Sequence, residues 1–432
     1  MISSLRNARF VLGMCAVLAA SGCAAISPRN PLPPTLVATA EVPGLPSVRF
    51  FADDFPRDVA AALRRHFPNA GRFGSTSTMS GGREVVEVLS LSGGGPNGAF
   101  GAGVLVGWTN TGRRPEFEAV TGVSAGALIA PFAFLGPQYD HVLEEIWTAY
   151  ETKDLIRASI VPGLLGGDSL VDTEPLADLM AHYVDEALLR EIASQYRRGR
   201  LLLVLTTNLD AQRPVVWNMG EIAAAGSPEG LALFRSVLLA SAAIPGAFPP
   251  VRVRVKADGN IYDELHVDGG TSRQILVSPL EAPIQAFDAF HPRAPIRHIY
   301  IIENGKHAPT YKPVGQTTIK IAGRAISTLL LNQTGGELYR VYRRVKDAGA
   351  AFHYLSIPVE FPYEPAEVFD RGYQTKLFEA GRAIGASGRR WMDRPPELVP
   401  SELRPQPAET RPVPRPDGPA VFVADTFFAE VR

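Results

Sequence analysis

One serine stands between a strand-like run and a small apolar run, with a glycine two residues away on each side. The pentapeptide is Gly122-Val123-Ser124-Ala125-Gly126, preceded by the partly β-branched run Phe117–Thr121. A tight turn from strand to helix presses backbone against the serine, so a Cβ on either flanking glycine would collide. The pattern predicts a nucleophile elbow. Ser124 would then lie at the first turn of a helix, where unpaired N–H groups favour negative charge.

A glycine-rich segment lies one strand–helix unit earlier. The strand-like run Val85–Leu91 is followed by Gly93-Gly94-Gly95-Pro96-Asn97-Gly98 and then by the helix-forming run Ala99–Trp108. The glycine spacing also fits a dinucleotide fingerprint, but its acidic candidate, Glu118, is near the start of a strand rather than at its end. Consecutive glycine N–H groups before a helix favour an anion cradle instead. Adjacent parallel strands would bring this cradle beside the serine, as an oxyanion hole requires.

A third segment ends in an aspartate before two glycines, Asp268-Gly269-Gly270. Alternation along the preceding strand places Leu265 and Val267 on one face and His266 and Asp268 on the other. An aspartate at a strand end can supply a carboxylate to a site on that edge of the sheet. Asp-Gly-Gly is also an ordinary turn sequence, and that alternative stays open at this point.

The three segments, in this order, resemble the patatin-like phospholipase family, and Ala240–Pro245 resembles a further segment of that family. The likeness extends from about Glu84 to Glu281. It implies an α/β fold, a three-layer α/β/α sandwich with a mostly parallel central sheet. It also implies hydrolysis of acyl esters in lipids, without a cofactor or a metal, by a Ser–Asp dyad that lacks histidine.

Carried onto this chain, the resemblance makes Ser124 the nucleophile and Asp268 the base. The oxyanion hole falls to backbone N–H groups in the set Gly93, Gly94, Gly95 and Ala125. The remaining motif glycines are Gly98, Gly122, Gly126, Gly269 and Gly270. Because an ordinary aspartate is a weak base at neutral pH, we expect burial to raise the pKa of Asp268. Asn97 departs from the family, which usually has a basic residue there, and this puts a preference for anionic headgroups in doubt.

Three other interpretations remain open in the sequence. His266 could act as the base from the same strand face as Asp268. An α/β-hydrolase triad in the order Ser, Asp, His could use His298, His307 or His353, although no His-Gly-Gly-Gly run precedes the serine. The third is a non-catalytic outer-membrane lipoprotein.

The N-terminus resembles a bacterial lipoprotein signal. Two arginines precede the apolar stretch Phe10–Ala20, which is too short to span a bilayer and ends in Ala20-Ser21-Gly22-Cys23. We expect lipid attachment at Cys23, an anchor in the membrane and, because Ala24 follows, an outer-membrane location facing the periplasm. An ordinary cleaved signal peptide is the alternative. A net charge of −1 argues against nucleic acid as a partner.

The predicted organisation has five parts. Residues 1–22 form the signal, 23–83 a proline-rich tether and N-terminal extension, 84–285 the catalytic core, 286–394 the rest of the α/β body, and 395–432 a proline-rich tail. In the fourth part, the apolar spacing over Thr318–Val345 predicts one long helix or two short ones. Leu329–Leu331, with Tyr339 and Val341, would either cover the site as a lid or pack on the sheet. Ala366–Ile384 is predicted to be helical.

Overall fold

The structure, a computed structural model, describes residues 29–54, 57–70, 78–158, 171–278, 283–388 and 391–398. The predicted signal, Cys23 and nearly all of the proline-rich tail lie outside these ranges. The strands are β1 Arg49–Phe51, β2 Met79–Ser80, β3 Arg83–Leu91, β4 Ala119–Val123, β5 Arg157–Ala158, β6 Val171–Asp172, β7 Leu201–Asn208, β8 Arg213–Asn218, β9 Val251–Ala257, β10 Asn260–Asp268, β11 Ile296–Glu303 and β12 Ala351–Ser356. The α-helices are α1 Val59–His66, α2 Gly98–Thr109, α3 Ala125–Leu135, α4 Asp140–Thr148, α5 Thr152–Leu155, α6 Glu174–Tyr183, α7 Glu186–Arg197, α8 Met219–Ala224, α9 Pro228–Ser241, α10 Thr318–Asp347 and α11 Arg371–Ser387.

Five parallel strands form the larger part of the main sheet, in the order β7-β4-β3-β11-β12, with β12 at the edge. Beyond β7 the sheet continues with β8 and β1, both antiparallel to their neighbours. The β9–β10 hairpin joins the last three residues of β7, also antiparallel. Every residue of β7 is buried, as expected for an apolar run at the centre of a sheet covered on both faces.

The sheet is covered by helices on both sides. Alternate β7 residues divide between two cores: Leu202 and Val204 pack with α2 and α3, whereas Leu203 and Leu205 pack with α1. Helix α10 extends the second layer over β11 and β12. This arrangement confirms the predicted α/β fold, a three-layer α/β/α sandwich with a mostly parallel central sheet.

Helix α2, which follows the glycine-rich segment, packs backbone to backbone against α11. A Cβ on Gly103 would lie 2.0 Å from the carbonyl oxygen of Phe378, and a Cβ on Gly381 would lie 2.3 Å from that of Phe100. Only glycine permits this approach. The contact fixes α2 and therefore the N-terminal turn that faces the candidate site.

The described part of the predicted tether is not free of the fold. Arg29 pairs with Asp210 in the β7–β8 turn at 2.6 Å and with Asp263 in β10 at 2.9 Å, which ties the chain to one edge of the fold. Leu32, Val42 and Val48 are buried in the main core. The tether prediction is therefore wrong from Arg29 onward, because the apolar residues between the prolines find a surface to cover.

Two helix predictions need adjustment. The predicted helix Ala366–Ile384 begins only at Arg371, because the carboxylate of Asp370 caps it by accepting from the N–H of Tyr373. The predicted helical region from Thr318 is one continuous helix, α10. Within α10, Leu329 and Tyr339 are exposed and do not pack on the sheet, whereas Val341 packs against the core over β11 and β12. Within the described ranges, no helix combines the length and apolarity that a membrane span requires.

Candidate active site

Ser124 occupies a sharp turn between β4 and α3, with a φ of 52° that is unfavourable for a residue with a side chain. The flanking glycines make the turn feasible. A Cβ on Gly122 would lie 2.5 Å from the carbonyl oxygen of Gly126, and a Cβ on Gly126 would lie 2.2 Å from that of Leu91. The sequence therefore folds into the nucleophile-elbow geometry at this point.

A second serine holds the turn in place. The backbone N–H of Ser124 donates to Ser241 Oγ at 2.9 Å, and Ser241 Oγ donates in turn to the carbonyl oxygen of Leu205 at 2.7 Å. This buried chain ties the elbow to the end of α9 and to β7. Ser241 belongs to the segment Ala240–Pro245, which the sequence singled out without assigning a role to any of its residues.

Strand pairing places Asp268 beside Ser124. Along β7, β4 occupies one edge as far as Leu205, and β8 occupies the other edge. Strand β10 pairs with β7 just beyond β4, running in the opposite direction, so its last residue meets the end of β4. There Ser124 Oγ donates to Asp268 Oδ2 at 2.6 Å.

The Asp268 carboxylate is buried and held on both oxygens. While Oδ2 accepts from Ser124, Oδ1 accepts from the N–H of Gly270 at 2.7 Å. Gly269 must be glycine, because a Cβ there would lie 2.4 Å from the carbonyl oxygen of Leu205. Burial raises the pKa of Asp268 to about 6, against the opposing effect of the Ser124 and Gly270 hydrogen bonds. The carboxylate is thus a stronger base than an ordinary aspartate, yet still ionised at neutral pH.

The glycine-rich segment lies against the serine. A Cβ on Gly93 would be 3.2 Å from Ser124 Cβ, and Gly94 precedes the short 3-10 turn Gly95–Asn97 that leads into α2 at Gly98. Within the described part of the chain, the N–H groups of Gly93 and Gly94 donate to no other residue. Ala125 opens α3, so its N–H has no acceptor within that helix. N–H groups without an acceptor therefore lie in the two segments next to Ser124, at Gly93 and Gly94 and at Ala125.

Asn304, which the sequence reasoning missed, anchors the glycine-rich segment. This buried side chain donates through Nδ2 to the carbonyl oxygen of Ser92 at 2.8 Å, and its Oδ1 accepts from the N–H of Gly101 at 3.0 Å. It also presses on Gly94, where a Cβ would lie 2.1 Å from the Asn304 carbonyl oxygen. A usable signal existed: Asn304 directly follows β11, at the same edge of the sheet as the elbow.

Asn97 stands where the family usually has a basic residue, and its side chain is hydrogen-bonded within the protein. Its Oδ1 accepts a hydrogen bond from the hydroxyl of Tyr373 at 2.7 Å. Tyr373 lies in the first turn of α11. The neutral side chain thus connects the glycine-rich segment to the C-terminal helix.

The candidate histidines are engaged elsewhere. His266 is fully buried, with Nδ1 at 2.9 Å from Thr206 Oγ1 and Nε2 at 3.1 Å from Glu264 Oε2, and burial lowers its pKa. His298 and His353 pair with each other at 3.0 Å across β11 and β12. His307 Nδ1 lies 3.1 Å from a carboxylate oxygen of Glu303. Among the described residues, no histidine is hydrogen-bonded to Ser124 or Asp268.

Residues 89–281 match the family model described as Patatin-like phospholipase. The chain carries a patatin-like phospholipase domain. The matched range contains the last three residues of β3, the glycine-rich segment, the elbow and Asp268 with its two glycines. The match supports a lipid acyl hydrolase activity in general.

Other comparisons add little to this assignment. The crystal structure of VipD from Legionella pneumophila aligns with 75% of this chain and 71% of its own chain, at 11% sequence identity and a TM-score of 0.34. That likeness is too weak for a comparison of individual residues. No curated protein matches the chain.

Proposed function

We propose that this patatin-like domain is a serine acyl hydrolase that cleaves carboxylic esters of lipids through a dyad of Ser124 and Asp268. The hydrogen bond of 2.6 Å between Ser124 Oγ and Asp268 Oδ2 carries the proposal. It joins the serine of a strained elbow to a buried carboxylate whose pKa is about 6, with no histidine between them. This is an activated nucleophile with its base in direct contact.

The proposed reaction has two halves. Ser124 Oγ attacks the ester carbonyl carbon as its proton passes to Asp268 Oδ2, and the tetrahedral intermediate collapses when the alcohol leaves with that proton. Water then attacks the acyl-serine, gives a proton to Asp268 and releases the acid, after which the proton returns to Ser124 Oγ. Asp268 is thus base and acid in turn.

The negative oxygen of each intermediate needs donors that are in place beforehand. The N–H groups of Gly93, Gly94 and Gly95, with that of Ala125, are the proposed oxyanion hole. The Ser124 N–H is not part of it, because it already donates to Ser241. The buried Asn304 side chain would hold the glycine donors at a fixed distance from Ser124.

Hydrolysis of a short-chain p-nitrophenyl ester by the full chain tests the proposal. We expect Ser124→Ala and Asp268→Asn each to lose nearly all activity while circular dichroism shows an intact fold. Exposed residues of the same types supply matched controls, Ser194→Ala and Asp178→Asn, which should keep wild-type rates. Full activity in Asp268→Asn would refute the dyad, and activity absent from the wild type would favour a non-catalytic lipoprotein.

The location of the enzyme is a separate proposal, supported by the sequence of residues 1–24. Lipid on Cys23 would hold the domain at the outer membrane, facing the periplasm, close to its lipid substrate. Metabolic labelling with a fatty-acid analogue should mark the wild-type chain and leave Cys23→Ser unlabelled. Equal labelling of both would refute this anchor.

A further inference from the structure

Exposed apolar side chains are concentrated in one short stretch. Of the 13 large hydrophobic residues that are exposed in the described ranges, five lie between residues 311 and 329. Two of them are among the most exposed in the molecule, Tyr311 at 91% and Leu329 at 70%. The others are Val314, Ile321 and Ile326. Such a cluster on a soluble surface indicates a docking site.

The first half of α10, residues 318–331, is an amphipathic helix whose apolar face is exposed to solvent; we call it the amphipathic segment. Its exposed apolar residues recur at the spacing of one helical face, in the set Ile321, Ala322, Ala325, Ile326 and Leu329, whereas Leu330 and Leu331 are half-buried. Lys320 and Arg324, four residues apart, lie on the opposite side with Ser327 and Thr328. Ordinary surface helices bury their apolar face, but this one presents it to solvent.

All charged side chains in and around the amphipathic segment are positive over a long stretch of sequence. Between Glu303 and Glu337 the sequence contains no acidic residue, whereas it contains Lys306, Lys312, Lys320 and Arg324.

The groups that face these cations are mostly neutral. Lys306 donates to the carbonyl oxygen of Phe361 and Arg324 to that of Thr310. Lys312 lies 3.9 Å from Glu364, the one recorded ion pair of the four cations within the described residues. The amphipathic segment therefore keeps a net positive charge.

The amphipathic segment stands next to the catalytic edge. Just after it, Gln333 donates to the carbonyl oxygen of Ser272 at 2.8 Å. One turn later, the buried carboxylate of Glu337 accepts from the N–H groups of Gln274 and Ile275. These residues closely follow Asp268, and the Gln274 side chain reaches Gly93. The C-terminal end of the segment therefore leads directly to the loop that follows Asp268, on the side of the domain that carries the candidate site.

We infer that the amphipathic segment, with Tyr311 and Val314, docks the domain onto a lipid bilayer that contains anionic lipids. An apolar face beside basic residues is the composition of helices that lie in the plane of a membrane interface. The inference deepens the proposed function, since it states how lipid reaches a dyad that is buried in the protein. Anionic lipid is recognised by the helix and not by the glycine-rich segment, where Asn97 is neutral.

A local probe tests the docking without reference to catalysis. The full chain with Ser124→Ala, Cys15→Ser and Cys23→Ser receives one environment-sensitive fluorophore, through Leu329→Cys or through the matched exposed residue Ile261→Cys on the β9–β10 hairpin. Each is mixed with vesicles of phosphatidylcholine, with and without phosphatidylglycerol, at low and high salt. We expect a blue shift and quenching by brominated lipid at position 329 only, strongest with phosphatidylglycerol at low salt.

The other outcomes overturn the docking. A probe at position 329 that stays in water, whether or not the chain binds the vesicles, excludes it. A blue shift that appears without lipid and grows with protein concentration assigns the face to a second copy of the chain. A shift without lipid that is independent of concentration assigns it to another part of the same chain.

A functional variant separates this inference from the dyad. Replacing Ile321, Ile326 and Leu329 together by serine should lower hydrolysis of vesicle lipid about tenfold or more, as expected when three apolar side chains leave an interface. The same variant should hydrolyse a soluble short-chain ester at the wild-type rate, and Ile261→Ser should change neither. Equal loss on both substrates would refute docking. If the dyad proposal is wrong, the wild type will not hydrolyse the ester at all, whatever the fluorophore at position 329 reports.

Discussion

Replacing Asp268, the proposed base, should raise the free energy of unfolding at neutral and higher pH but not in acid. Burial raises the pKa of Asp268 from 3.8 to about 6. The folded protein therefore keeps a proton at pH values where the unfolded chain has lost it, and its stability falls as pH rises through this window. A rise of this size corresponds to about 3 kcal/mol of unfolding free energy, lost in full above pH 6 or so.

Asp268→Asn removes that penalty because an amide does not ionise. Asparagine Oδ1 can still accept from the N–H of Gly270, while its NH2 group can donate to Ser124 Oγ. We expect Asp268→Asn to exceed the wild type by roughly 1–3 kcal/mol at about pH 8, and the difference to vanish near pH 4.

Urea unfolding of both proteins across this range measures the effect, with Asp178→Asn, an exposed substitution of the same kind, as the control. A difference between Asp268→Asn and the wild type that does not change with pH would refute the reasoning. So would a variant that is less stable than the wild type at about pH 8. Either result would mean that the fold does not disfavour the charged carboxylate.

Three further predictions follow from the same structure. The kcat/KM for a soluble ester should rise with pH with an apparent pKa near 6, because only the Asp268 carboxylate accepts the proton; a flat profile across the acid range would contradict this. Burial, with the nearby charge of Glu84, raises the pKa of Glu118 to about 7. The melting temperature of Glu118→Gln should therefore exceed that of the wild type above neutral pH and equal it in acid. An unchanged melting temperature at high pH would count against this prediction. Asn304→Ala should lower kcat more than it changes KM and should cost about 1–3 kcal/mol of stability, because it leaves the Gly101 N–H and the Ser92 carbonyl unpaired; an unchanged kcat would remove Asn304 from the positioning of the glycine segment.

The elements next to the site could be predicted because each carries a strong local pattern. The strands before the glycine-rich segment and the elbow, and the end of β10, all lie where their apolar runs predicted. The glycines around Ser124 could be recognised for the same reason, since close backbone approach leaves few alternatives.

Other elements could have been predicted but were missed. Strand β9 alternates buried and exposed residues and turns into β10 at Asp258-Gly259, a standard hairpin signal. Helix α7 has a clear amphipathic pattern with Asp185 as its N-cap.

What the sequence could not supply depends on contacts between distant parts of the chain. The glycines that join α2 to α11 are nearly 280 residues apart, and their partner is not encoded locally. The same holds for Asn304, which supports a segment more than 200 residues earlier. The sequence also could not show that the apolar face of α10 is exposed. A hydrophobic pattern predicts that a face is buried, but it does not identify the surface that covers it.

Covalent labelling of the serine is the most direct test of the proposed chemistry. A fluorophosphonate ester should react once per chain, and peptide mapping by mass spectrometry should place the adduct on Ser124. Labelling should be lost in Ser124→Ala and should be strongly slowed in Asp268→Asn, with a rate in the wild type that falls as pH drops below about 6. Labelling of another residue, or an Asp268→Asn protein that reacts at the wild-type rate, would contradict the Ser124–Asp268 dyad.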